Sequence, residues 1–74
     1  MKYETKDIWI ASALHALGFE ASAAKVGDRQ FIFLFDDSKE LREELNNYTR
    51  GKLSIDVSSL QTSYKTLKNL VFRS

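Results

Sequence analysis

Residues with a capacity for acid–base or nucleophilic chemistry are few in this chain. His15 is its one histidine, and the acidic residues nearest to it in sequence, Asp7 and Glu20, fall on other turns or elements. The sequence pattern therefore does not indicate a catalytic set made of a nucleophile, a base and an acid that orients the base. We interpret His15 as a histidine at the edge of a packed helix.

The adjacent carboxylates of Asp36 and Asp37 offer a second kind of chemistry, because hard cations bind oxygen ligands. A calcium loop needs several acids at alternating positions around a glycine, whereas Ser38 and Lys39 follow here. The pair is more typical of a strand end followed by a helix cap. No glycine begins a phosphate-loop pattern, and cysteine is absent. We therefore predict a protein that is not an enzyme, with no catalytic residue, no metal and no cofactor.

Composition limits the architecture that positions any site. The 74 residues are 43% apolar and 28% charged, with a net charge of +1. A chain of this length supports one small core, so we predict a single domain over residues 1–74. Because the net charge is close to zero, overall electrostatic attraction favours neither nucleic acid nor acidic ligands. Without disulfides, stability must come from packing, with self-association as a further source.

Three helices are predicted from apolar spacing and capping residues. Residues 5–17 form the first, with Thr5 as its cap and a surface that is apolar almost all round. The second begins after a cap at Asp37 and ends at Gly51. Residues 59–72 form the last helix, with one apolar stripe that predicts burial on one side.

Two strands, over residues 19–26 and 29–35, are predicted to form a hairpin. Gly27-Asp28 is a two-residue turn of the type that supplies the positive φ of a tight turn. The resulting register puts Phe31, Phe33 and Phe35 on one face of the hairpin. On the other face it puts a charge-free set made of Phe19, Ala21, Ala23, Ile32 and Leu34.

The element order α-β-β-α-(β)-α predicts an α+β fold class, an antiparallel β-hairpin packed with three helices. The bracketed strand is residues 52–57, whose clean alternation predicts a short third strand or an extended connector. We expect four leucines to be buried in the core: Leu14, Leu34, Leu45 and Leu67.

Several stretches together carry a family resemblance. They are residues 5–8, Leu14, residues 18–19, the Phe31-x-Phe33-x-Phe35-Asp36 strand, and residues 47–53, 55–56 and 67–71. Over nearly its whole length the chain resembles a family of small bacterial and phage-associated proteins known only as a domain of unknown function. The resemblance implies a compact α+β domain of cytoplasmic location, and it assigns no catalytic residue.

Surplus apolar surface is the main indication of function. The first helix is apolar almost all round, and the second strand is apolar on both faces, with only two other helices to cover them. A helix over the phenylalanine rings is the simpler interpretation, but rings left exposed would mark a protein partner. We predict a protein-interaction module that forms a homodimer or binds another protein. The candidate contact residues are Ile8, Trp9, Phe31, Phe33 and Phe35.

A small nucleic-acid-binding or regulatory protein is the alternative. Residues 45–74 hold one acidic residue and five basic ones, Arg50, Lys52, Lys65, Lys68 and Arg73. A basic helix stripe can contact phosphates, but so few cations predict weak binding, and a solvated helix face is the simpler interpretation of the stripe.

The longest uncharged stretch, residues 8–19, has 12 residues. A membrane-spanning helix needs about 20, so we predict no membrane association. Ala21-Ser22-Ala23 resembles a signal-peptide cleavage site, but the residues before it carry both signs of charge. We therefore expect a cytoplasmic location.

Overall fold

The computed structural model describes residues 2–28 and 30–73, with side chains for 2–28 and 30–71. The elements are β1 (Lys2–Thr5), α1 (Ile8–Ala16), β2 (Ser22–Lys25), β3 (Phe31–Asp36), α2 (Lys39–Thr49) and α3 (Val57–Arg73). The strands form one antiparallel sheet in the order β1-β3-β2. The α+β class with three helices and an antiparallel hairpin is therefore confirmed.

The third strand of the sheet lies at the start of the chain, not at residues 52–57. In β1, Tyr3 pairs with Phe35 and Thr5 with Phe33, so β1 covers the edge of β3 that β2 leaves free. An uncovered edge would expose a row of unpaired backbone groups. Residues 52–56 form no regular element, so of the two alternatives predicted for residues 52–57, a short strand or an extended connector, the structure shows the connector.

The hairpin register differs by one residue from the predicted one. Ala23 pairs with Phe33, and the Val26 N–H donates to the Gln30 carbonyl oxygen at 2.9 Å, so three residues form the loop. Gly27 does not have the positive φ that the predicted turn requires. The predicted pairing of Val26 with Arg29 involves Arg29, which lies outside the described residues.

Because of this shift, Ala23 and Ala24 each lie on the face of β2 opposite to the predicted one. Ala23 now lies beside Phe33 on the face that packs on the core, while Ser22 pairs with Leu34 on the opposite face. Leu34 lies on this opposite face, away from Phe33 and Phe35, and is only half-buried, so its predicted burial is wrong.

The core joins the central strand to all three helices. Its fully buried members are Ala11, Leu14, Phe33, Phe35, Leu41 and Leu67. The predicted burial of Leu14 and Leu67 is confirmed, whereas Leu45 lies half-buried at the edge of this cluster. Burying a large apolar side chain contributes about 1.5–3 kcal/mol, so this cluster supplies much of the stability of a chain without disulfides.

Two helix caps differ from the prediction. Thr5 ends β1, and Asp7 caps α1 by accepting a hydrogen bond from the Trp9 N–H at 2.8 Å. Ser38 caps α2, since its hydroxyl accepts a hydrogen bond from the Leu41 N–H at 3.1 Å. The predicted cap of α2, Asp37, pairs with a side chain instead.

The connection between α2 and α3 starts at Gly51, whose φ of +69° suits glycine and ends α2 as predicted. Residues 52–56 then cross to α3. Asp56 accepts a hydrogen bond from the Ser59 N–H at 3.2 Å, which lets α3 begin at Val57, two residues earlier than predicted. This connection and the two helices that it joins form one side of the candidate site.

Candidate binding surface around Trp9

Trp9 is a large apolar side chain that the fold leaves 51% exposed. It is the second residue of α1, and its backbone N–H is fixed by the Asp7 cap. Its indole stacks on the Tyr64 ring of α3, with the ring centroids 4.7 Å apart and the planes 19° from parallel. The stack holds Trp9 in one orientation while much of the ring faces solvent.

On one side of Trp9 lies a concave apolar surface of about 440 Å³, which we call the Trp9 groove. Its lining residues come from α1, the end of α2, the 52–56 connection and α3: Trp9, Ala13, Tyr48, Gly51, Leu53, Ile55 and Leu60. Tyr48 is itself 38% exposed. The groove is therefore an accessible apolar surface built from four segments of the chain.

Trp9 also lines a second concave surface of about 350 Å³, which we call the lysine groove. It is lined by Trp9, Gln61, Tyr64, Lys65 and Lys68. The Lys68 Nζ atom lies 5.9 Å from the centroid of the Tyr64 ring, within the range of a cation–π interaction. Trp9 is the residue shared by the two grooves.

The predicted protein-contact residues separate into accessible and inaccessible ones. Trp9 is exposed, while Ile8 and Phe31 are half-buried. Phe33 and Phe35 are only 3% and 1% exposed, so they cannot form a contact surface, and that part of the prediction is wrong. The physical reason is that they lie on the sheet face that the helices cover.

The predicted nucleic-acid contacts form two groups. Lys65 and Lys68 line the lysine groove, and Arg50 and Lys52 flank Gly51 of the Trp9 groove. All four side chains are exposed. The side chain of Arg73 lies outside the described residues.

The acidic pair that suggested a metal site is engaged in two ion pairs. Lys2 pairs with Asp36, and this contact lowers the pKa of Asp36. Arg42 contacts both carboxylate oxygens of Asp37, at 2.9 and 2.7 Å, and its hydrogen bonds lower the pKa of Asp37. Among the described residues, no group of three or more His, Cys, Asp or Glu side chains is placed to hold a metal ion.

His15 makes a contact that sequence spacing did not indicate. Its Nδ1 lies 2.9 Å from the Ser63 Oγ on α3. Ser63 is only 4% exposed, and both residues lie in the lining of a concave surface of about 340 Å³. Within residues 2–28 and 30–71, no hydrogen bond joins His15 to a carboxylate that would orient it as a base. The pair links α1 to α3.

Sequence reasoning identified Trp9 but missed most of the groove. Leu60 and Tyr64 lie in the last helix, whose apolar stripe was predicted to be buried, and Leu53 and Ile55 were predicted to lie in a short strand or an extended connector. The available signal was the alternation of residues 52–57 directly after Gly51, which brings two apolar side chains to one side of an extended connection.

A comparison with known protein families identifies the family of this chain. Residues 1–73 match the family described as "Domain of unknown function (DUF5659)". The chain belongs to this family. The family match includes every residue of the Trp9 groove and of the lysine groove. No curated protein and no solved structure matches the chain. Over the described residues, none of the helices is long and apolar enough to cross a membrane.

Proposed function

We propose that this DUF5659 chain is a non-enzymatic protein-interaction module that binds an apolar side chain of its partner in the Trp9 groove. The observation that carries the proposal is the 51% exposure of Trp9 beside an apolar concavity. A single exposed apolar residue is ordinary, but a contiguous concave patch is typical of an interaction site. Tryptophan and tyrosine are also the residues most often responsible for binding energy in protein interfaces.

The stack of Trp9 on Tyr64 supports this function because it restricts the indole before any partner binds. Immobilising a flexible side chain in an interface costs about 0.5–1.5 kcal/mol. A ring that is already held in place avoids part of this cost. The geometry therefore favours binding at Trp9 over binding at other exposed apolar residues, such as Val26 near the hairpin loop.

A second copy of the chain is one possible partner. A homodimer would bury the groove and make the stability of the protein rise with its concentration. The cytoplasm of a bacterial or phage-infected cell is the location that we propose for either kind of complex, since a chain without cysteine needs no disulfide-forming compartment.

The second candidate function is weak binding of nucleic acid, and the observation that favours it is the lysine groove. Aromatic rings beside cations can stack bases and contact phosphates. Lys65 and Lys68 lie next to the stacked rings of Trp9 and Tyr64. Arg50 and Lys52, on either side of Gly51 in the chain, are further exposed cations. So few cations predict a shallow salt dependence, since each phosphate neutralised on a duplex adds about 0.9 to the log–log slope.

The experiment is a selection of random displayed peptides on the wild-type chain and, separately, on Trp9→Ser. We expect enriched peptides to bind wild type at least about tenfold more tightly than Trp9→Ser, because removing a central tryptophan of an interface typically costs at least about 2 kcal/mol. Fluorescence anisotropy of a labelled peptide measures the two affinities.

Val26→Ser is the matched control, because Val26 is 50% exposed but lines neither groove. It should leave the affinity unchanged. Sedimentation equilibrium of the three proteins tests the second copy as partner. If no peptide is enriched and wild type stays monomeric, or if Trp9→Ser and Val26→Ser have the same effect, the protein-interaction function is wrong.

A further inference from the structure

We infer that the partner segment that binds the Trp9 groove is acidic, with apolar side chains for the groove and carboxylates for the cations at its borders. This inference rests on the proposed function and adds the chemical class of the partner. It is carried by the position of the basic residues relative to the groove, a feature independent of the exposure of Trp9.

Cations lie at two borders of the Trp9 groove. Where the groove meets the lysine groove at Trp9, the neighbouring side chains include Lys65 and Lys68. At Gly51, another lining residue, the adjacent residues in the chain are Arg50 and Lys52. A segment that lies in the groove therefore has basic residues close to Trp9 and beside Gly51.

The acidic residues nearest in sequence to the lining residues Trp9 and Ile55 are bound to helix N-termini. Asp7 accepts hydrogen bonds from backbone N–H groups at the start of α1, and Asp56 accepts one at the start of α3. Both carboxylates are thus engaged with helix N-termini, where negative charge is stabilised. The charged side chains in the described lining of the two grooves, Lys65 and Lys68, are both basic, which is complementary to an acidic partner.

The lining of the Trp9 groove favours a protein over a nucleic acid. Ala13, Leu53, Ile55 and Leu60 present aliphatic surface, which suits leucine, isoleucine or phenylalanine side chains. Sugar and phosphate groups would lose water there without gaining hydrogen bonds. Nucleic acid therefore fits the lysine groove alone, whereas an acidic apolar segment fits both grooves.

A second copy of the chain fits this surface less well. A twofold dimer places the same patch of both copies in contact. Because both borders of the groove are basic, a dimer centred on it would bring Lys65 and Lys68, or Arg50 and Lys52, close to cations of the other copy. Such juxtaposition of like charges opposes association.

The test is the charge of the peptides that are enriched on wild type in a Trp9-dependent way. We expect more Asp and Glu than Lys and Arg beside their apolar residues. Lys65→Glu/Lys68→Glu should weaken the binding of an acidic peptide about tenfold, chiefly at low salt. Lys25→Glu/Lys39→Glu is the matched control, because it changes the net charge equally at exposed lysines that line neither groove.

The possible results distinguish failure of the acidic-partner inference from failure of the proposed function on which it rests. Trp9-dependent peptides without acidic enrichment, or equal effects of the two double variants, would overturn the acidic partner and leave the interaction module intact. A labelled single-stranded or duplex oligonucleotide that binds more tightly than any enriched peptide would overturn the acidic partner in favour of nucleic acid. A Trp9-dependent dimer in sedimentation would overturn it in favour of a second copy.

Discussion

The His15 Nδ1 and the Ser63 Oγ lie 2.9 Å apart, which connects α1 and α3 through residues 48 positions apart in the chain. Both helices also line the Trp9 groove, through Trp9 on α1 and Leu60 on α3. The hydrogen bond therefore helps to fix the relative position of two walls of the candidate site.

Ser63→Ala should lower the free energy of unfolding by about 1 kcal/mol, because it removes one hydrogen bond at a nearly buried position. Ser59→Ala on an exposed position of the same helix is the control and should change stability by less than about 0.5 kcal/mol. Urea denaturation measures both. Equal midpoints for wild type and Ser63→Ala would show that the contact with His15 does not stabilise the fold.

Leu67→Ala should lower the free energy of unfolding by about 2–5 kcal/mol, since it leaves a cavity in the core. Leu67 is fully buried among the sheet and helix side chains. Leu70→Ala, on the same helix but at a position 37% exposed, should cost clearly less. Thermal unfolding followed by circular dichroism compares them, and a similar melting temperature for the two variants would contradict the core assignment.

Gly51→Ala should destabilise the fold by about 1–2 kcal/mol through backbone strain alone. Gly51 has a φ of +69°, but an added Cβ would meet no atom within 4 Å, so no steric clash contributes. Gly27→Ala provides the contrast, because its φ is not positive and its Cβ would make an ordinary contact of 3.8 Å with the Gln30 Cβ. Chemical denaturation should show little loss of stability for Gly27→Ala. Equal losses of stability for the two variants would refute backbone strain at Gly51.

Asp37 should contribute stability that depends on pH. Its hydrogen bonds with Arg42 lower its pKa in the folded state below the ordinary 3.8, so the contribution is fully present above 3.8. It is lost as the pH falls through the lower pKa of the folded state. The stability difference between wild type and Asp37→Asn should therefore be largest near neutral pH and shrink below 3.8.

The control for this pH dependence is Arg42→Met, which removes the partner of Asp37. In an Arg42→Met background, Asp37→Asn should have a smaller effect, and this effect should vary less with pH. Denaturation curves at several pH values would give the four stabilities. A pH dependence that survives the loss of Arg42 would show that another group is responsible.

The helices were largely predictable, because capping residues and apolar stripes act within a few residues of each other. The end of α2 at Gly51 and the burial of Leu67 followed from local spacing alone. The α+β class followed from the order of these local patterns. Single caps were harder to assign, since Asp37 and Ser38 are both good capping residues and the choice depends on the position of Arg42.

The register, the first strand and the groove were not predictable from local patterns. The predicted and observed loops of the hairpin differ in length by a single residue, yet this difference exchanges the two faces of β2. A strand as short as Lys2–Thr5 is stabilised by pairing with β3, which is distant in sequence. The groove brings together Ala13, Tyr48 and Leu60 from three helices, so only the tertiary fold reveals it.

The stack of Trp9 on Tyr64 also gives this molecule an intrinsic optical reporter. The chain contains a single tryptophan, so its intrinsic emission comes largely from one half-exposed indole in the wall of the candidate site. A partner that displaces water from this ring should shift its emission to shorter wavelengths, whereas a ligand that binds elsewhere should not. Occupancy of the groove can therefore be followed on the unlabelled wild-type chain, without a dye that would alter the surface under study.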